Sequence, residues 1–296
     1  MPVEHVAWLN GEYFPLSQAS LSILDPGVLS GAIVSERLRT FRHEPFLLNE
    51  HLERLSASAR AAFLDLPAAG RELEQLVREV VARNAALVPA SHDLAVSLFA
   101  TAGGTLCIYA TAIPAHSYAA AYDDGISLII PPVQAMPPES FSPHIKTRNR
   151  LHWHIADAMA RQVDSTARAL LVDGEGFVTE TPTGNLFLAV QNELFTPRRT
   201  RTLRGTSQSF VIELAERAGF VCREADMTAA DLALGMEAFV TSSIYCMLPV
   251  VRLEGAALDS GRPGPVYQRL LRIWSDSVGL DIAGQMKQMA HGARGA

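Results

Sequence analysis

The sequence predicts an α+β fold in two domains, and two patterns support this prediction. Stretches with the helical spacing of apolar residues are mixed with short strand-like runs, without the regular alternation of a doubly wound sheet. Six prolines between residues 114 and 143 surround one short strand. We therefore predict a small N-terminal α/β domain over residues 1–120, an interdomain crossover over residues 121–143 and a larger domain over residues 144–296.

The first domain is predicted to open with a hairpin, because Asn10-Gly11 between two apolar runs is a strong signal for a two-residue turn. Apolar residues then recur at helical spacing in two long segments. The remaining predicted elements are a strand over residues 36–41, helices over 50–63 and 71–87, and paired strands over 94–100 and 106–113.

The second domain is predicted to alternate short strands with helices. Gly219 is a typical helix C-cap, and Thr228 with Asp231 has the form of a capping box. The predicted helices cover residues 149–163, 208–218, a short segment from 228 and 264–278, and the predicted strands cover 126–130, 169–172, 177–178, 186–190, 193–195, 237–242 and 250–253.

Composition excludes several classes of protein. The 296 residues are 48% hydrophobic and 19% charged, which is typical of a globular protein with an ample core. A formal net charge of −6 does not favour nucleic-acid binding. No run approaches the roughly 20 apolar residues of a membrane span, and the first residues lack the pattern of an export signal. Three cysteines form no metal-ligand set or CxxC motif, so we expect reduced thiols and a cytoplasmic protein.

Lys146 is one of only two lysines in a chain that has 23 arginines, and the other is Lys287. Arginine therefore occupies nearly every ordinary cationic position. A lysine amine can lose its proton, attack a carbonyl and form a Schiff base, whereas a guanidinium stays protonated. Chance in an arginine-rich composition is the alternative explanation.

Four other segments carry candidate binding residues. Glu180 follows a strand in an apolar neighbourhood, where a carboxylate can hold a pyridine nitrogen protonated; an ordinary strand-end glutamate is the alternative. Thr206 and Ser207 stand at a predicted helix start, which suits a phosphate but equally suits a plain N-cap. Ser243 and Arg54 could add phosphate contacts, although turn hydroxyls and helix-surface arginines are common.

Taken together, these segments resemble a known family over almost the whole chain. The matching fragments, in order, are Leu9-Asn10-Gly11, Asp25-Pro26-Gly27, residues 36–39, His51 to Leu55 with Ser58-Ala59, Ile145-Lys146-Thr147, Val178-Thr179-Glu180, Asn185-Leu186-Phe187, Thr196-Pro197, Leu203 with Gly205, and Phe239 followed by Pro249-Val250. Their order and spacing resemble the fold-type IV pyridoxal-phosphate enzymes, the family of branched-chain and D-amino-acid aminotransferases. The resemblance implies a small α/β domain and a larger pseudo-barrel domain with the cofactor between them, usually in a homodimer.

The resemblance also implies roles for individual residues. Lys146 corresponds to the lysine that forms the Schiff base and moves the proton, and Glu180 to the partner of the pyridine nitrogen. Leu203 corresponds to the apolar residue packed on the cofactor ring. The phosphate would be bound by Arg54, Thr206, Ser207 and Ser243.

The sequence departs from the family pattern at one substrate position. Many members carry Thr-Arg-Gly where this chain has Thr101-Ala102-Gly103, so recognition of the substrate carboxylate is open. Arg37 and Arg39 are candidate replacements; on one strand they point to the same face, and two solvent-facing arginines are the alternative.

The leading hypothesis is an aminotransferase that moves an amino group between a small amino acid and a 2-oxo acid by ping-pong kinetics, with D-amino acids slightly favoured. A lyase of the same family, which releases pyruvate from aminodeoxychorismate, is the alternative; Ala102 and the apolar segment 244–248 favour it mildly. A non-catalytic binding protein is disfavoured, because Lys146, Glu180 and Arg54 are all present.

Overall fold

The computed structural model describes residues 4–234 and 237–292, and these divide into two compact units. Unit 1 comprises Met1–Pro114 and Ile145–Asn149, and unit 2 comprises Ala115–His144 and Arg150–Ala296. The contacts thus assign the proline-rich stretch to unit 2 and the short segment around Lys146 to unit 1. The sequence-based limits at residues 120 and 143 stay a proposal, and the extreme ends of the two domains lie outside the described residues.

Unit 1 is a six-stranded sheet covered by two long helices. Its elements are β1 (Val6–Leu9), β2 (Glu12–Pro15), α1 (Pro26–Leu29), β3 (Ile33–Phe41), β4 (Glu44–Pro45), α2 (Leu48–Ala61), α3 (Gly70–Ala85), β5 (Leu94–Thr101) and β6 (Leu106–Ala112). The strand order is β2-β1-β6-β5-β3-β4, and all pairings are antiparallel. Asn10 and Gly11 both have positive φ, as a tight two-residue hairpin turn requires.

One face of this sheet forms the core of unit 1. Alternate residues of β3, β5 and β6, such as Leu38, Val96 and Ile108, pack with α2 and α3 in one buried cluster. The opposite face carries the other set of alternate residues, including Arg37 and Tyr109. The two faces of one sheet therefore have different chemistry.

Unit 2 is built on a nine-stranded mixed sheet. Its elements are α4 (Ala121–Asp124), β7 (Ile126–Ile129), α5 (Leu151–Val163), β8 (Arg168–Ala169), β9 (Glu180–Thr181), β10 (Gly184–Val190), β11 (Glu193–Pro197), α6 (Thr206–Arg217), β12 (Val221–Ala225), α7 (Ala229–Leu234), β13 (Glu237–Ser242), β14 (Cys246–Leu253), β15 (Ala256–Ala257), α8 (Pro265–Val278) and α9 (Ile282–Gly292). The main strand order is β12-β11-β10-β13-β14-β7-β8, with β9 on β10 and β15 on β14.

The predicted α+β class is confirmed, and most predicted elements occur within a few residues of their expected limits. Two regions differ. Segments 169–172 and 177–178 form only the short β8 and an isolated bridge between Val172 and Val178, because Asp173 starts a tight turn there. The last predicted strand begins at Cys246 and not at residue 250. No helix of the described residues is both long and apolar enough to cross a membrane.

Candidate active site

Lys146 is fixed through its backbone in unit 1. The segment Ile145–Asn149 lies beside β3, with an antiparallel bridge between Val34 and Thr147. The Ser35 amide donates to the Lys146 carbonyl at 2.8 Å, and the Lys146 amide donates to Ser58 Oγ on α2 at 3.1 Å. Lys146 is therefore attached to a strand and to a helix at the same time.

Arg54 forms a bidentate ion pair with a fully buried carboxylate in the same unit. Its Nε donates to Glu36 Oε1 at 2.7 Å, and its Nη2 donates to Glu36 Oε2 at 2.8 Å. His51 Nδ1 lies 2.7 Å from Glu36 Oε2. Burial alone would raise the pKa of Glu36, but the charge and hydrogen bonds of Arg54, together with His51, hold that pKa well below its usual range.

His51 links Arg54 to Lys146 electrostatically. Burial lowers the pKa of His51; the charges of Arg54 and Lys146 lower it further, while Glu36 opposes them. The structure thus brings Lys146 and Arg54 into one cationic neighbourhood of unit 1, where Glu36 is the counter-ion of Arg54. Such a neighbourhood is suited to an anionic group such as a phosphate.

The two arginines of β3 differ in burial and in their contacts. Arg39 is fully buried: its Nε donates to the Thr40 carbonyl, its guanidinium lies 4.1 Å from the centre of the Phe41 ring, and Nη2 is 3.9 Å from Asp93. Arg37 is exposed. These contacts give Arg39 a structural role and do not favour substrate binding by it.

Glu180 and Leu203 lie together in unit 2. Glu180 Oε1 accepts a hydrogen bond from the Leu203 amide at 3.2 Å, and Asn185 Nδ2 donates to the Leu203 carbonyl at 2.9 Å. Glu180 also pairs with Asn185 in the β9–β10 register. Two side chains therefore fix the backbone of Leu203 through both of its polar groups.

Thr206 and Ser207 are the first residues of α6, whose N-cap is Gly205. Gly205 has no side chain that could cap the helix, so the first amides of α6 remain suited to an anion. Thr206 Oγ1 lies 3.4 Å from Ser243 Oγ, which follows β13. This helix start supplies amides, hydroxyls and the positive end of the helix dipole.

The close packing around this helix start requires glycine. A Cβ atom added to Gly205 would overlap Asn185 Oδ1, and one added to Gly184 would overlap the Tyr245 hydroxyl and the Thr241 carbonyl. Thr241 Oγ1 is buried and has no hydrogen-bond partner among the described residues. The donors, the tight backbone and this buried hydroxyl fit a phosphate group.

The predicted site residues thus form two sets. In each set, further residues hydrogen-bond to the predicted ones. Lys146 and Arg54 lie in unit 1, and Glu180, Leu203, Thr206, Ser207 and Ser243 lie in unit 2. Sequence reasoning assigned no role to Glu36, His51, Ser58 or Asn185 individually. A glutamate within the otherwise apolar start of a strand was the available signal for Glu36.

Known proteins related to this one match it along almost the whole chain. A branched-chain-amino-acid aminotransferase relative from Methanocaldococcus jannaschii is 28% identical over 91% of this chain and 95% of its own length. The D-alanine aminotransferase of Bacillus licheniformis is 27% identical over 91% of this chain and 95% of its own.

Solved structures agree with these sequence relatives. The branched-chain amino acid aminotransferase of T.th., solved with pyridoxamine 5′-phosphate, superposes with a TM-score of 0.85 at 25% identity, covering 93% of this chain and 94% of that one. The sequence model of the family described as "Amino-transferase class IV" matches residues 34–253, which include every predicted site residue. This match extends over most of the chain, so the resemblance noted in the sequence is confirmed and the protein belongs to the class IV aminotransferase family.

Proposed function

We propose that this protein is a pyridoxal-phosphate aminotransferase that moves an amino group between a small amino acid and a 2-oxo acid by a ping-pong mechanism. Pyridoxal phosphate is the cofactor of class IV aminotransferases. The observation that carries the proposal is the convergence of Glu180, Leu203, Thr206 and Ser243 at the start of α6. This convergence supports the proposal, because the candidate phosphate donors and the candidate partner of the ring nitrogen lie within one part of unit 2.

When bound, pyridoxal phosphate supplies an aldehyde for the amine and an aromatic ring that accepts electrons. Lys146 Nζ would hold the cofactor covalently and then carry the proton from the substrate Cα. The Glu180 carboxylate would keep a proton on the ring nitrogen, and the Leu203 side chain would pack on the ring. The amides and hydroxyls of Thr206 and Ser207, the Ser243 hydroxyl and the charge of Arg54 would bind the phosphate.

The choice of amino-acid substrate is part of this proposal. We favour D-amino acids slightly, and relatives named for branched-chain amino acids and for D-alanine both resemble the chain. The lyase alternative receives no support from the segment 244–248, since its residues are buried and pack in the interior of unit 2. Release of pyruvate without an amino acceptor would identify the lyase.

We also propose a homodimer that acts in the cytoplasm. Four apolar residues repeat every fourth position along α5 and are exposed: Leu151, Ile155, Met159 and Val163. An exposed apolar stripe on a helix is typical of a surface that another chain covers, and closed symmetric dimers are the commonest assemblies. The three cysteines are unpaired, as the reducing cytoplasm would keep them.

Replacement of Lys146 by alanine tests the proposal. The Lys146→Ala protein should lose multiple turnover with every amino donor, since no other residue among its neighbours carries an amine. It should still unfold at the concentration of urea that unfolds the unaltered protein. The matched control is Lys287→Ala, because Lys287 is half-exposed on α9 and pairs with Asp123. Retained turnover in the Lys146→Ala protein would refute the assignment.

A further inference from the structure

The face of the unit 1 sheet opposite the helices carries a row of polar side chains from three strands. Arg37 on β3 lies opposite Ser97 on β5, and Ser97 lies opposite Tyr109 on β6. Residues directly opposite each other in an antiparallel sheet project from the same face. Arg37, Ser97 and Tyr109 therefore form a continuous line across β3, β5 and β6.

Arg37 differs from the rest of its strand in being exposed. The other eight residues of β3 are buried or half-buried. The Arg37 side chain makes no hydrogen bond, ion pair or ring contact with the residues that the structure describes, whereas Arg39 is fully engaged by Thr40, Phe41 and Asp93. Of the two arginines, Arg37 is thus the one whose guanidinium is available to an external anion.

A second guanidinium extends the row. Arg148 Nη2 donates to the Tyr109 hydroxyl at 3.3 Å, and the Arg148 guanidinium lies 5.6 Å from the centre of the Phe99 ring. Tyr109 and Phe99 are half-buried. On this face the strand positions of β3, β5 and β6 carry no acidic residue, so no carboxylate from these positions competes for the two cations.

Lys146 is close to this row. The Ser35 amide is bonded to the Lys146 carbonyl, and Ser35 is two residues from Arg37 on the same face of β3. Two residues of an extended strand span roughly 7 Å. A carboxylate that binds Arg37 would therefore lie within about one amino acid's length of the lysine backbone.

We propose that Arg37, supported by Tyr109 and Arg148, binds the α-carboxylate of the amino-acid substrate. This inference rests on the proposed aminotransferase function and predicts that amines with a carboxylate are preferred over amines without one. A planar guanidinium binds a carboxylate through two parallel hydrogen bonds. Tyr109 and Phe99 lie on the same face of the sheet and are half-buried. The absence of the family's arginine at Ala102 is then explained, because a cation on another strand of the same sheet binds the carboxylate.

The experiment compares two amines that differ only in the carboxylate. Alanine, as both enantiomers, and isopropylamine are added to the cofactor-loaded protein without an oxo acid, and the change in visible absorbance is followed. In Arg37→Gln we expect the alanine concentration for half-maximal rate to rise roughly 100-fold, since two charge-assisted hydrogen bonds are lost. The rate with isopropylamine should be unchanged, and Arg37→Lys should recover part of the loss.

The matched control is Arg71→Gln, which removes an exposed arginine from α3 on the other side of the same sheet. It should behave as the unaltered protein with both amines. Equal losses with alanine and isopropylamine in Arg37→Gln would overturn the proposal, as would an unchanged response to alanine.

A binding measurement separates failure of this inference from failure of the proposed function. Pentanoate and its neutral analogue pentanamide are titrated into the cofactor-loaded protein by calorimetry. The unaltered protein should bind pentanoate in preference to pentanamide, and Arg37→Gln should lose that preference. If no amine changes the absorbance of the unaltered protein, the proposed function fails, while the preference for pentanoate still decides the role of Arg37.

Discussion

At the scale of single residues, Glu36 is a buried carboxylate with two cationic or hydrogen-bonding partners. It is fully buried and receives hydrogen bonds from both His51 and Arg54, and Arg54 itself is only 12% exposed. A carboxylate in the interior is stable only when it is paired in this way. Glu36 therefore fixes the orientation of the Arg54 guanidinium.

Replacing Glu36 by glutamine should lower the free energy of unfolding at pH 7 by roughly 3–5 kcal/mol, because Arg54 is left as a nearly buried cation without its counter-ion. The folded-state pKa of Glu36 is lowered, so its stabilisation is present above the unfolded pKa of about 4.3 and is lost as the pH falls below it. The difference between the two proteins should shrink in acid. Urea unfolding between pH 7 and pH 3 measures it.

The control for this prediction is Glu53→Gln, an exposed glutamate on the same helix as Arg54. It should change the unfolding free energy by less than about 0.5 kcal/mol at every pH. Equal stabilities of Glu36→Gln and the unaltered protein at pH 7 would show that the buried ion pair contributes nothing net.

The sequence predicts the role and exposure of a residue less well when the partners of that residue are far away along the chain. The rarity of lysine was enough to select Lys146, because that signal lies in the composition alone. Strand alternation placed Arg37 and Arg39 on one face but could not predict their different exposure, which depends on Asp93, more than fifty residues later in the chain. Long-range partners of this kind leave no local pattern.

At the scale of elements, Asp25 joins a short helix to a hairpin. Its carboxylate accepts hydrogen bonds from the Gly27 amide at 2.7 Å, from Thr101 Oγ1 at 2.9 Å and from Thr105 Oγ1 at 2.7 Å. Asp25 is thus the N-cap of α1 and at the same time the acceptor for both ends of the β5–β6 turn. Gly103 packs against the same carboxylate, and a Cβ atom at that position would overlap it.

Asp25→Ala should destabilise the protein by roughly 3 kcal/mol, because two threonine hydroxyls and one amide lose a charged acceptor in a buried place. Burial raises the pKa of Asp25, but hydrogen bonds from Thr105, Gly27 and Thr101 outweigh it and lower that pKa, so the contribution is present above about pH 3.9 and is lost in stronger acid. Thermal or urea unfolding tests this. Asp65→Ala, at an exposed position, serves as the control and should be nearly neutral.

The start of β14 was missed in the sequence for a physical reason. Proline disfavours a strand interior, and the strand predicted from the sequence begins directly after Pro249. In the structure Pro249 pairs with Phe239 of β13, and the pairing of β14 with β7 begins only at Val250. Pro249 therefore has a strand partner on one side only.

At the scale of the whole molecule, the proposed homodimer is argued from the exposed apolar stripe of α5. Ile155→Glu places a charge in the middle of that stripe, and a dimer that buries it should dissociate at micromolar protein concentration, since an unpaired charge in an interface is costly. His154→Glu introduces the same side chain on the same helix about 100° away and should remain dimeric. Sedimentation velocity distinguishes the species; a monomeric unaltered protein would contradict the assembly itself.

The segment Ile145–Asn149 has a consequence for the synthesis of the chain. Unit 1 is not a continuous piece of sequence, because Thr147 Oγ1 bonds to the Ile33 carbonyl from 114 positions further along the chain. All six strands of the first sheet are translated before Lys146, and closing so large a loop is slow. The strands of the nascent sheet therefore precede the lysine that we propose as the Schiff-base residue, and a fragment that stops at Pro114 would retain all six strands while lacking Lys146.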